Sequence, residues 1–170
     1  MLPSPSPSAE HAVNQGVSVR ETTWTDPVGD RLRAAQRAEL SLRYADLNAH
    51  HGFPKPPPDL TPDQVIATVV AEDTRTGHGV GTANLKLFDG IPEVKRLYVA
   101  PTHRGQGVGA AVLAALERIA LRRGADRLIL STGPLQPDAV RLYEKTGWTP
   151  IPPFGAAKRF PGGFFFEKAL

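Results

Sequence analysis

Residues 102–111 read THRGQGVGAA, with glycines at 105, 107 and 109, an arginine ahead of them and an alanine-rich run behind. A β-rich run precedes this stretch and a helical pattern follows it. A strand, a glycine loop and a helix together make an anion seat. The first helical N–H groups have no intrahelical partner, and the helix dipole favours negative charge there. Glycines let the backbone approach a phosphate without Cβ interference. A nucleoside-triphosphate loop would need Gly-Lys-Ser/Thr, and neither the lysine nor the hydroxyl follows. Gly105, Gly107 and Ala110 meet the G-x-G-x-x-A spacing of a dinucleotide cradle. However, the next strand, DRLILST, ends in Ser-Thr-Gly with no acid to hold a ribose. Arg104, Gly107 and Gly109 meet a third spacing, R-x-x-G-x-G. A strand-to-helix turn that holds no ligand is the plainer alternative.

Little else in the chain could do chemistry. It contains no cysteine, which excludes disulfides, thiolate metal sites and a cysteine nucleophile. His50 and His51 are adjacent and point apart in any regular structure, so no metal site is expected. The net charge is +3 and the pI near 9.4. The basic residues are scattered rather than striped with aromatics, which argues against nucleic-acid binding. No apolar run is long enough to span a bilayer. The segment MLPSPSPSAEH has neither the basic nor the apolar part of a signal peptide, so a cytoplasmic location is expected.

The elements that must position the loop follow from periodicity. Residues 1–16 are rich in Pro and Ser and are expected to be a disordered tail, with one domain over 17–170. VSVRETTW (17–24) alternates as a strand. Asp26 and Pro27 supply an N-cap and an N1 proline for a helix to about Ala49, with Leu32, Gln36, Leu40, Tyr44 and Leu47 on one stripe. A proline-rich loop covers 50–60, and Thr61 to Gln64 form a capping box. ATVVAED, VGTANLKLF and PEVKRLYVA read as an antiparallel meander. After the glycine loop, Val112, Leu113, Leu116, Ile119 and Ala120 mark a helix that ends at Gly124. DRLILST reads as a buried parallel strand. A helix over about 137–146 and two last strands, WTPIPP and FFFEKAL, complete a mixed α/β chain.

VKRLYVAPTHRGQGVGAAVLAALE resembles the acetyl-CoA motif of the GNAT superfamily of N-acetyltransferases. PDAVRLYEKTGW (137–148) resembles that superfamily's later motif, and the ending IPPFG…FFFEKAL resembles one bacterial subgroup. The likeness runs from about residue 67 to 170. It implies the GNAT fold: a single mixed, largely antiparallel sheet with a splayed parallel strand pair, flanked by helices. It also implies acetyl-CoA as cofactor, with a primary amine on a small molecule or a protein as acceptor and a homodimer as a common assembly.

Residue by residue, the resemblance puts the coenzyme A pyrophosphate on the backbone amides of Gln106, Gly107, Val108, Gly109 and Ala110, with Arg104 and Gly105 at the entry. It lays the pantetheine arm along Leu97, Tyr98 and Val99, pairing through the main chain. The N–H of Leu97 or Val99 would donate to the thioester carbonyl. Gln136 stands where the family often has asparagine, so an amide is kept on a longer arm. Tyr143 matches the tyrosine that faces the coenzyme sulfur; its plainer reading is a ring packed under the sheet. Glu93 is a candidate base; its plainer reading is an exposed strand-end carboxylate. Glu39 would suit a cationic amine, and Arg43 and Tyr44 an acidic acceptor. His103 lies near the expected phosphates. Two other functions fit the same motifs: a non-catalytic coenzyme-A-binding module, and a toxin-like acetyltransferase of aminoacyl-tRNA.

Overall fold

The computed structural model describes residues 12–14, 16–50 and 60–170. Eight strands form one sheet in the order β1-β2-β3-β4-β5-β6-β8-β7. They are β1 (Ala12–Asn14), β2 (Val17–Thr22), β3 (Val65–Asp73), β4 (Gly79–Phe88), β5 (Ile91–Val99), β6 (Arg127–Thr132), β7 (Thr149–Pro150) and β8 (Phe164–Ala169). The helices are α1 (Pro27–Arg43), α2 (Ala45–Ala49), α3 (Val108–Arg122) and α4 (Pro137–Lys145). Every neighbouring pair is antiparallel except β5 with β6.

Three sequence expectations change. Residues 12–14 pair with β2, so part of the expected tail is a sheet edge; residues 1–11 and 15 lie outside the described residues, as do 51–59 of the proline-rich loop. The single helix expected to Ala49 is two, broken at Tyr44, whose ψ of 6° leaves the helical basin. The capping box opens only one 3-10 turn, Pro62–Gln64, where the Thr61 N–H donates to Gln64 Oε1 at 3.1 Å. The start of α1 is as expected: Asp26 accepts from the Val28 and Gly29 amides and also pairs with Arg20.

Alternation along the strands assigns the two faces. Val69, Ala71, Ala83, Leu85 and Val94 face α3, whose Val112, Leu113, Leu116 and Ile119 complete the main core with Tyr143, Trp148 and Phe166. Each buried Val, Leu, Ile or Phe among them contributes about 1.5–3 kcal/mol of burial. Val70 and Tyr98 face the other way, onto Leu32 of α1. Helices therefore cover both faces, and the parallel strand lies between them. Among the described residues no helix is long and apolar enough to cross a membrane.

Candidate active site

The site begins where β5 leaves β6. Only two residue pairs, Glu93 with Ile129 and Val94 with Leu130, hold the parallel pairing. Just beyond them the β4–β5 register slips between Thr82 and Asn84, and Arg96 takes φ 57°. An extra residue in a strand bends it and increases its twist, and here β5 turns away from β6 and opens a gap. The Ala100 N–H donates back to Val80 O on β4 at 2.8 Å. By the two-residue alternation of a strand, the main-chain groups of Leu97 and Val99 point the other way, into the gap.

Two side chains already occupy the carbonyls there. Gln36 Nε2 donates to Leu97 O at 2.7 Å, and Arg104 Nε donates to Val99 O at 2.9 Å. The Arg104 guanidinium also pairs with Glu39 at 2.7 Å and lies over the Tyr98 ring. Glu39 holds Arg43 at 2.7 Å with its other oxygen, and Arg43 reaches Leu135 O at 3.3 Å. A polar strap therefore crosses the gap from the glycine loop, over α1, to the turn after β6.

The glycine loop ends in α3. Gly107 is the N-cap with φ 82°, a left-handed conformation costly for a residue with a Cβ. Ala111 N donates to Gly107 O, which leaves the amides of Val108, Gly109 and Ala110 without helical acceptors. Gly109 has a second reason to be glycine. A Cβ there would come within 2.8 Å of Leu142 Cδ2 on α4, so this glycine lets the two helices touch. His103 bridges Asp73 at 3.0 Å and Thr102 at 2.9 Å with its two ring nitrogens. The His103 hydrogen bond, with those from the Arg75 and Thr76 amides, holds the Asp73 carboxyl down at about 2. This fixes the loop entrance to the β3–β4 turn.

A cavity of about 740 Å³ joins these parts. Its walls are the glycine loop, the first turn of α3, Leu97 to Val99, Gln36 to Arg43 on α1, and Gln136 to Thr146 on α4.

Residues 22–148 match the model of the Acetyltransferase (GNAT) family. The chain belongs to the GNAT acetyltransferase family. It is 36% identical over 105 residues to an "IAA acetyltransferase" of Azospirillum brasilense, covering 62% of this chain and 69% of that one. A crystal structure of a candidate acyl-CoA N-acyltransferase from Klebsiella pneumoniae is 31% identical, with a TM-score of 0.74 over 92% of this chain and 99% of that one. A GNAT acetyltransferase of Elizabethkingia anophelis with acetyl-CoA bound shares the fold at 16% identity, with a TM-score of 0.63 over 92% of this chain and all of that one. The mixed sheet with one splayed parallel pair is the GNAT fold expected from the sequence.

Most of the expected GNAT site residues meet at this cavity: Leu97, Tyr98, Val99, Arg104, Gly105, Gly107, Val108, Gly109, Ala110, Gln136, Glu39 and Arg43 all line it. Gln106 does not, its amide instead donating to Thr102 O. Tyr44 lies behind the wall, its hydroxyl bonded to Gln136 Oε1 and the Leu135 amide. Gln136 thus spends its oxygen on Tyr44 and on the Gly133 amide. The two catalytic candidates do not line the cavity. The Tyr143 ring is 5% exposed and packs between Trp148 and Phe166. Burial drives its hydroxyl well above the ordinary phenol range. Glu93 is not an exposed strand-end carboxylate. It is 3% exposed and held between Lys95 at 3.1 Å and Lys86 at 3.5 Å, because a buried carboxylate needs paired cations.

Sequence reasoning passed over Gln36, Asp138, Arg141 and Lys145, all of which line the cavity. The signal for Gln36 was a polar residue in the apolar stripe of α1. For the α4 residues it was their position on the same helix as the recognised motif, one turn apart.

Proposed function

We propose that this protein is an acetyl-CoA-dependent N-acetyltransferase that moves the acetyl group to a primary amine by direct attack. The observation that supports this most is the continuity of the cavity. It runs from three partnerless amides at the head of α3 to a gap lined by the main chain of β5. The amides of Val108, Gly109 and Ala110 suit a pyrophosphate, with Arg104 adding a charge-assisted contact. The gap suits an extended arm. When bound, acetyl-CoA would supply an activated thioester carbonyl.

This chain's residues then have the following proposed roles. The N–H of Leu97 or Val99, pointing into the gap, donates to the developing oxyanion. Tyr143, kept neutral by burial but set behind the cavity lining, is proposed as a hydrogen-bond donor to the departing sulfur rather than as an ionising acid, a role that requires its hydroxyl to be uncovered when the cofactor binds. A thiolate whose thiol has a pKa of about 8.5 is too weak a base to take a proton from so desolvated a phenol; it takes instead the proton released by the attacking nitrogen, so that the products are the acetylated amine and the free thiol of coenzyme A. Among the described residues no serine or cysteine lines the cavity, so no acyl-enzyme is invoked. The lining carboxylates, Glu39 and Asp138, are both paired with arginine. Glu93 is locked between lysines, so the amine is proposed to arrive already neutral.

The test has two stages. Acetyl-CoA at a hundredfold excess over Kd should stabilise the fold by about 2.7 kcal/mol, read as a thermal shift. Coenzyme A release should then be followed across a panel of primary amines. Absence of a shift would remove the cofactor reading, and a shift with no release from any amine would leave a coenzyme-A-binding module.

A further inference from the structure

Gln36 sits at the narrow end of the gap and is 6% exposed. One end of its amide is committed, with Nε2 on Leu97 O at 2.7 Å. The other end is not: Oε1 is buried with no hydrogen-bond partner, although the residue lines the cavity. The amide cannot be turned round, because Oε1 and Leu97 O are both acceptors and would repel. A buried acceptor left unmade costs free energy and calls for a reason.

The neighbouring main chain supplies one. An extended arm lying beside β5 would look for strand-like acceptors, and β5 offers two carbonyls on that side, Leu97 and Val99. Both are capped. The Val99 cap is Arg104, a half-exposed side chain that a phosphate can draw away. The Leu97 cap is Gln36, buried and held by packing. Leu97 O is therefore withdrawn from the gap for as long as Gln36 is in place, and the only acceptor Gln36 offers in its stead is Oε1.

We infer that Gln36 Oε1, and not the main chain of Leu97, receives the pantetheine amide N–H nearest the thioester. Gln36 thereby becomes a cofactor-reading residue on α1, outside both recognised motifs. This rests on the acetyl-CoA reading above and adds which atom selects the arm.

The experiment measures two ligands by titration calorimetry on wild type and Gln36→Lys, whose ammonium can go on donating to Leu97 O while offering no acceptor. The first is acetyl-CoA. The second is adenosine 3′-phosphate 5′-diphosphate, the nucleotide half of coenzyme A without the arm. The variant should bind acetyl-CoA about five- to a hundredfold more weakly, the range for one buried hydrogen bond lost. The nucleotide should bind as before, which also shows that the variant folds. Equal weakening of both ligands would mean that Gln36 only supports the fold, and no weakening of either would mean that the arm does not meet it. A wild type that binds neither ligand would instead defeat the cofactor reading itself, and this inference with it. An acetyl-CoA analogue with an ester oxygen in place of that amide N–H gives an independent check. It should lose affinity for wild type and lose nothing further for Gln36→Lys, in which Leu97 O stays capped. Additive losses would overturn the pairing.

Discussion

Glu39→Gln is the most informative single change in the cleft. Glu39 holds Arg104 and Arg43 at 2.7 Å each, one with each carboxylate oxygen. If Arg104 serves the cofactor phosphates, it must leave Glu39 to do so, and the ion pair is a competitor of the ligand. The pair is half-exposed, with Arg104 at 37% and Glu39 at 28%, so solvent screens it and its worth is about 0.2–1 kcal/mol. Removing the competitor returns at most that amount, which is up to about fivefold in affinity. Glutamine keeps the shape and can still meet one arginine only weakly. Acetyl-CoA should therefore bind Glu39→Gln up to about fivefold more tightly at low salt. The gain should shrink as salt rises, because the wild-type pair is itself screened. Calorimetric titrations of both proteins at low and high salt measure this directly. Weaker binding by the variant at low salt would refute the reasoning: Glu39 would then be positioning Arg104 for the phosphates rather than withholding it.

Other expectations test the surrounding structure. Gly109→Ala places a Cβ 2.8 Å from Leu142 Cδ2, the end of a side chain that can turn aside, and alanine favours the helix by up to about 1 kcal/mol; chemical denaturation should therefore shift by less than about 1 kcal/mol, and Leu142→Ala in the same chain should remove the clash term. Ala110→Asp, at the open head of α3, should leave the melting temperature nearly unchanged and abolish the acetyl-CoA shift by adding a charge beside the free amides. Asp26→Ala should cost about 1 kcal/mol as a lost N-cap. Burial alone would raise the Asp26 pKa, but hydrogen bonds from Arg20, Gly29, Thr22 and Val28 outweigh it and hold the carboxyl at about 2, below its ordinary 3.8. A depressed carboxyl stabilises the fold fully above its unfolded value. Wild type should therefore lose this contribution between about pH 4 and pH 2, and Asp26→Ala should lose less over that window. Tyr143→Phe keeps the ring contacts with Trp148 and Phe166. It should lower kcat about tenfold or more while acetyl-CoA affinity and melting temperature stay close to wild type; an unchanged kcat would leave the residue a core tyrosine only.

The sequence carried the order of most elements because their signals are local. Asp26-Pro27 opens α1, and the apolar run from Val112 to Ala120 predicts α3. What was not legible depended on partners distant in the chain. Lys95 stands two residues from Glu93, but Lys86 joins them only through the β4–β5 register, which places Lys86 opposite Glu93. The helix break at Tyr44 carries no glycine or proline, and its hydroxyl is instead claimed by residues about ninety positions later. Tyr143 has the same spacing whether its hydroxyl serves a sulfur or its ring serves the core, so periodicity could not separate the two. Gln36 fell on the correct stripe of α1, yet its use needed the turn of β5 at Arg96, which no local pattern announces.

The Tyr44 hydroxyl also fills the space that any side chain at Gly133 would need. A Cβ at Gly133 would lie 2.0 Å from that oxygen and 2.9 Å from the ring carbon bearing it. Tyr44 is thus the main bar to a side chain at position 133, with Gln136 Oε1 at 3.1 Å a second, milder one that its own side chain can relieve, and removing the hydroxyl alone would still leave the ring too near. Sequence drift at the two positions must be concerted. Gly133→Ala should be damaging by itself and tolerated beside Tyr44→Leu, a sign epistasis between residues nearly ninety apart. Any directed-evolution library that randomises the α1–α2 junction to change acceptor preference should therefore vary Gly133 in the same clones.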